Sequence, residues 1–201
     1  INPHDFLQDP PNGNEAVRDS ILNRVNSGMG FATYSAHCIS EGWSNPSFQL
    51  DDIASLTDNG KFGLWISNCC FSVKFDDPES FGEAALRANN KGAIGAIGAS
   101  DDTYWEEDYW WSVGLTGNIV ANPSYDETGL GVYDRMFHTH GEDRSEWYVT
   151  QGQMIAGGNL AVEASSSNLN NYYWEVYHLM GDPSLMPYLE IGRASCRERV
   201  C

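Results

Sequence analysis

Two short apolar runs with a helical pattern between them limit the fold of this chain more than any other feature. Residues 62–66 (Phe-Gly-Leu-Trp-Ile) and 92–98 (Gly-Ala-Ile-Gly-Ala-Ile-Gly) have the length and character of buried strands. Between them, Asp77-Pro78-Glu79 reads as a helix start with Pro in the first turn, and Phe81, Ala84, Ala85 and Leu86 carry the helix to about Asn90. Strand, helix and strand in this rhythm join parallel neighbours, so the expected fold class is α/β with a mainly parallel sheet. Upstream, Val17, Ile21, Leu22 and Val25 mark a helix face, with Asn14 as N-cap and Gly28 as stop. The β-prone residues 31–35 follow and end near His37. A polar loop containing Trp43 and Pro46 then leads to an apolar pattern at Leu50, Ile53 and Leu56. Two further helices are expected over 146–164 and 172–180, the second of which makes His178 a packed helix residue.

The 201 residues are 41% hydrophobic, enough for one domain with a real core. No run approaches the length of a membrane span. The formal charge of −17, from 28 acidic and 11 basic residues, opposes binding to phosphate backbones or anionic lipid, which excludes nucleic acid as a partner class.

His37 and Cys70 each stand just past the end of a predicted strand. Open α/β sheets bind ligands at the carboxyl ends of their strands, and two adjacent parallel strands would bring this imidazole and thiol to one edge. A thiol beside an imidazole loses its proton more readily, and the thiolate is the attacking species in acyl transfer. The backbone N–H groups of Cys70 and Cys38 are candidates for an oxyanion hole. Period-two alternation turns only one of Cys69 and Cys70 toward the cleft. Cys69 is expected to be buried packing, its rival reading being a vicinal disulfide with Cys70. Three cysteines outside the tail do not make a disulfide framework, so catalytic use is expected over structural use. His138 and His140, with Glu142 and Asp143, alternate as metal ligands can, but without further spaced ligands they read as a polar loop.

These residues resemble the gingipains, a family of caspase-like cysteine peptidases. The matching segments are Thr33-Tyr34-Ser35-Ala36-His37, Ser67-Asn68-Cys69-Cys70 and Phe75-Asp76, then Phe81-Gly82-Glu83 and Lys91-Gly92-Ala93. They continue through Tyr104-Trp105-Glu106-Glu107-Asp108-Tyr109-Trp110 and Gly157-Gly158-Asn159-Leu160-Ala161 to Tyr172-Tyr173-Trp174-Glu175, Gly181-Asp182 and Met186-Pro187-Tyr188. The lysine-specific branch is the most similar. The resemblance implies a caspase-like α/β/α sandwich and an endopeptidase with His37 and Cys70 as catalytic dyad. It further implies protein or peptide substrates, cleavage after basic residues with Lys favoured, and a secreted or cell-surface location. In such relatives the segment at Asp108 lines the pocket for the residue before the cut, which makes Asp108, Trp105 and Tyr104 the substrate-binding candidates. No cofactor is required for this chemistry, while structural Ca²⁺ is allowed at sites that the residues do not identify.

Two departures set the rival readings. Ala36 and Cys38 stand where the family's motif has glycine, and a Cys side chain after the histidine could crowd the substrate carbonyl. A catalytically impaired binding module is therefore the alternative function. An aromatic carbohydrate-binding domain is disfavoured, because it gives no reason for a His and a Cys at strand ends. Residues 1–189 are read as the C-terminal portion of a peptidase catalytic domain, with the acidic residue that orients the histidine expected upstream. Residues 190–201 include a string that matches the translation of a common sequencing adapter and are read as an artefact.

Overall fold

The computed structural model describes residues 13–57, 60–114, 124, 128, 131–137 and 143–187. The expected C-terminal artefact therefore lies outside the described residues, as do His138, His140 and Glu142. The central sheet has four strands in the order β1 (Phe31–Ser35), β5 (Gly63–Asn68), β6 (Ala93–Ala99) and β7 (Tyr177–Gly181). The first three are parallel, as the strand–helix–strand rhythm predicts, and β7 runs antiparallel along β6.

Alternation along β5 explains why this sheet is covered on both faces. Trp65 points into one apolar cluster, with Trp43, Phe48 and Phe81, while Leu64 and Ile66 point into another, with Trp111, Met136, Met154 and Tyr173. On the first side lie α1 (Gly13–Ser27), α2 (Leu50–Ser55) and α3 (Phe81–Arg87). On the second lie α4 (Trp105–Val113), α5 (Val132–Phe137), α6 (Gln151–Glu163) and α7 (Asn170–Val176). The result is the α/β/α sandwich that the sequence predicts. A strand buried on both faces reads as a near-continuous apolar run, as Leu64, Trp65 and Ile66 do, and every residue of β5 is buried, the polar Ser67 and Asn68 at its carboxyl end included.

Four local expectations are corrected. The helix expected from Asp77-Pro78-Glu79 to Asn90 is α3, Phe81–Arg87, one turn later and shorter. Ser80 caps it, and the Glu83 carboxylate accepts from the Ser80 N–H at 2.9 Å, a capping box that outcompetes the Pro signal. The polar loop around Trp43 is a small antiparallel sheet, β2 (Cys38–Ile39), β3 (Gly42–Ser44) and β4 (Ser47–Gln49). The Trp43 ring stacks on Tyr34 with centroids 4.9 Å apart, so tertiary packing supplies what three very short strands lack.

The helix expected over 172–180 stops at Val176, and His178 lies on β7, paired with Gly98. Without β7, the buried strand β6 would leave one edge of backbone N–H and C=O groups unpaired. The fourth correction concerns the cysteines: Cys69 is neither simple packing nor bonded to Cys70, because it forms a disulfide with Cys38. Alternation turns Cys69 away from Cys70 and into the layer that holds Cys38, with the two Cα atoms 5.5 Å apart. Closing a loop of sequence separation 31 stabilises by about 3–4 kcal/mol in the chain-entropy account.

Phe81 is fully buried against Trp43, Phe48 and Trp65. Phe81→Ala should lower stability by about 3–5 kcal/mol, read as a shift in the urea midpoint.

Candidate active site

Strand pairing brings the two predicted catalytic residues together. In the β1–β5 ladder the last register pair is Ser35 with Asn68, so His37 and Cys70 each stand two residues beyond it, at the same carboxyl edge. Both line one cavity of about 340 Å³, together with Trp105 and Asp108 from the first turn of α4. His37 is exposed at its mouth, and its ring meets the Trp105 indole edge-on with centroids 5.4 Å apart. Cys70 is the free thiol among the described residues and is half-buried. The sequence-predicted Tyr104 is not brought to this cavity. Its ring is nearly half exposed and packs against Tyr172, 6.2 Å away, while its backbone N–H donates to the Tyr173 hydroxyl.

Thr103 is the residue most intimately placed at the thiol. Its N–H donates to Cys70 Sγ at 3.3 Å, and its hydroxyl oxygen lies 3.7 Å from the same sulfur. The Thr103 hydroxyl also donates to Asp108 Oδ2 at 2.6 Å.

Asp108 sits deep in the cavity wall, and no basic side chain pairs with it among the described residues. Its other oxygen, Oδ1, accepts from the hydroxyls of Tyr173 at 2.9 Å and Tyr177 at 2.7 Å. Burial pushes the carboxyl up to about 6, against the opposing pull of the Thr103, Tyr177 and Tyr173 hydroxyls, and neighbouring Glu107 adds to the rise. Asn68 fixes the first turn of α4 from below, donating to the Asp108 carbonyl at 2.9 Å and to Ser112 Oγ at 2.7 Å. The carboxylate is thus held rigidly, solvated by neutral hydroxyls and lacking a cation. Such a group has a use for a cationic ligand.

The Cys70 N–H has no hydrogen-bond partner among the described residues. The Ser44 N–H donates to the His37 carbonyl at 3.0 Å, which makes Cys38 and Trp43 a non-bonded pair and leaves the Cys38 N–H pointing away from β3. The Cys38 side chain is 7% exposed and tied into the core, so it does not crowd the cavity. Local sequence gives no sign that Tyr173 and Tyr177 reach Asp108, since both look like ordinary core aromatics. The disulfide did leave a signal: each member of the dyad has a cysteine directly beside it in the chain.

His178 stands apart from this cavity. Its Nε2 lies 3.0 Å from Ser100 Oγ and its ring packs on Phe75, and burial holds it below the usual histidine range. Among the described residues no group of three or more His, Cys, Asp or Glu side chains is gathered as a metal would require. No described helix is long and apolar enough to cross a membrane.

Comparison with known proteins adds the family to this geometry. The model of "Peptidase family C25" matches residues 3–188. Lys-gingipain of Porphyromonas gingivalis is 38% identical over 182 residues, which is 87% of this chain and 10% of that protein. Lys-gingipain W83 of the same species is 37% identical over the same length. A solved structure titled "Structure of Protease" superposes with a TM-score of 0.74 at 37% identity, covering 83% of this chain and 37% of the other. The Arg specific cysteine proteinase gingipain R superposes with a TM-score of 0.68 at 19% identity over 85% of this chain and 36% of its own, a likeness of fold. The chain spans about a tenth of the length of the curated relatives it matches. With a family model covering most of its length and a relative well above 30% identity, this chain belongs to peptidase family C25, the gingipain family, and its sandwich is the caspase-like fold.

Proposed function

We propose that this chain carries the nucleophile and base of a cysteine endopeptidase that cuts after basic residues, lysine first. The observation that carries the reading is the parallel register of β1 and β5, which delivers His37 and Cys70 to one cavity whose wall holds the cation-free carboxylate of Asp108. In this mechanism the Cys70 thiolate attacks the scissile carbonyl. The N–H groups of Cys70 and Cys38 receive the developing oxyanion, and His37 protonates the departing amine. Water, activated by His37, then hydrolyses the thioester. These steps use thiol, imidazole and water alone, without a cofactor. The acidic partner of His37 is proposed to lie in the remainder of the protein.

Specificity follows from electrostatics. A substrate ammonium entering beneath the Trp105 ring would supply the charge that Asp108 lacks, while an apolar residue would leave the carboxylate buried and unpaired. The 38% identity to Lys-gingipain supports lysine as the preferred residue. Protein or peptide substrates and a secreted or cell-surface location complete the proposal. The Cys38–Cys69 disulfide supports the location, because such bonds form and persist in oxidising compartments. The impaired-module alternative loses its main ground, since the Cys38 side chain is turned out of the cavity.

Cys70→Ala in the full-length protein should abolish turnover of peptide substrates while leaving circular dichroism unchanged. Retention of activity by that variant would remove the nucleophile assignment. A fluorogenic panel varying only the residue before the cut should favour Lys over Leu. Asp108→Ala should erase that preference, a loss of about 3–5 kcal/mol, or roughly two to four orders of magnitude. The preference should also depend on pH. With its carboxyl near 6, Asp108 is charged above that pH and neutral below it, so the Lys-to-Leu ratio of kcat/KM should fall as pH drops through about 6. Any group of the free enzyme that acts on both substrates alike cancels in the ratio. A flat ratio across that range in the wild type would count against Asp108.

A further inference from the structure

We infer that the Cys38–Cys69 disulfide is a positioning clamp for the catalytic dyad: it ties the residue after the base to the residue before the nucleophile. The inference rests on the dyad assigned above and extends it to two side chains that touch neither substrate nor reacting atoms.

The backbone leaves the dyad weakly joined. Ladder pairing between β1 and β5 ends at Ser35 and Asn68, one residue short of Ala36 and Cys69. Beyond that point the two segments are held by different parts of the protein. The His37 carbonyl accepts from the Ser44 N–H and from the Tyr34 hydroxyl, both at 3.0 Å, which anchors the base to the β2–β4 side. The nucleophile is anchored toward β6: the Phe71 N–H donates to the Asp101 carbonyl at 3.2 Å, and the Thr103 N–H donates to Cys70 Sγ. Among the described residues no hydrogen bond runs between segment 36–38 and segment 69–71. The disulfide is the direct link between them, and it lies one peptide unit from each catalytic residue.

Its surroundings make the link stiff. Cys69 is fully buried and Cys38 nearly so, in the cluster with Tyr34, Trp43, Trp65 and Phe81. The bond also fixes the peptide that presents the Cys38 N–H, one of the two proposed oxyanion donors. Small displacements in such an arrangement are expensive: a shift of about 1 Å can cost on the order of a hundredfold in rate. The clamp should therefore act on the imidazole–thiol pairing and on kcat, and leave the Asp108 pocket, which α4 builds, largely alone.

The experiment compares the full-length wild type with Cys38→Ala/Cys69→Ala in two assays. One is steady-state cleavage of a Lys-containing fluorogenic peptide. The other is the pH dependence of Cys70 alkylation by iodoacetamide, scored by mass spectrometry. The clamp predicts a fall in kcat of about 10- to 100-fold, KM for the Lys peptide changed less than kcat, and an alkylation profile shifted to higher pH as the thiolate loses its imidazolium neighbour. A disulfide that serves stability alone predicts a lower melting temperature with kcat and the alkylation profile unchanged, and that result overturns the proposal. If the double variant does not fold, Cys38→Ala/Cys69→Val restores part of the lost apolar volume. Failure of both to fold assigns the bond to stability and likewise overturns the clamp. A wild-type Cys70 that is alkylated no faster than a free thiol refutes the dyad itself. A fast wild-type Cys70 matched by an equally fast variant refutes only the clamp.

Discussion

The parallel pairing of β1 with β5 is the constraint on which the rest of the structure depends, because it decides which chain ends share an edge. Parallel strands start and finish together, so the residues that follow them emerge side by side, and here those residues carry an imidazole and a thiol. The pairing is possible only because β5 is covered on both faces. Leu64 and Ile66 fill one apolar cluster while Trp65 fills the other, and burial of this kind is the main term favouring the folded state. Loss of either layer would expose the large apolar side chains of Leu64 and Ile66 or of Trp65.

The site is built from two kinds of support. Covalent and aromatic packing fixes the base side: Trp43 stacks on Tyr34 and donates its indole N–H to Ser67 Oγ at 2.8 Å, and Cys38 is bonded to Cys69 beneath them. Hydrogen bonding fixes the α4 side, where three hydroxyls and Asn68 hold Asp108 and its helix turn. Neutral donors solvate a buried carboxylate without neutralising it. That is why its carboxyl sits near 6, raised by burial yet still charged at neutral pH. A basic partner in the same place would have satisfied the charge and left nothing for a substrate to do.

Particular residues show where reading the chain succeeded and where it stopped. The apolar run over 62–66 is legible because sheet burial imposes a composition that few other environments tolerate, while the strand over 31–35 is legible from its β-prone residues. The start of α3 falls at Phe81 and not near Pro78 because the Ser80–Glu83 capping box, and not the proline, sets it. Segment 172–180 is mostly apolar and aromatic, interrupted by Glu175 and His178, a pattern that fits helix and strand alike. The free edge of β6 settled the matter.

By itself, the sequence determined the α/β class, the covered parallel sheet, the placement of His37 and Cys70 at strand ends and the family resemblance. All of these are written in local composition, period and motif. Tertiary structure alone decided that Cys38 joins Cys69, that Thr103 lies against the Cys70 thiol, and that Tyr173 and Tyr177 reach across to Asp108. Those contacts join residues 31 to 69 positions apart, and no periodicity within a strand or helix encodes a partner at that distance. Only the packing of one layer on another brings such groups together, because burial selects which side chains must find one another once water is excluded.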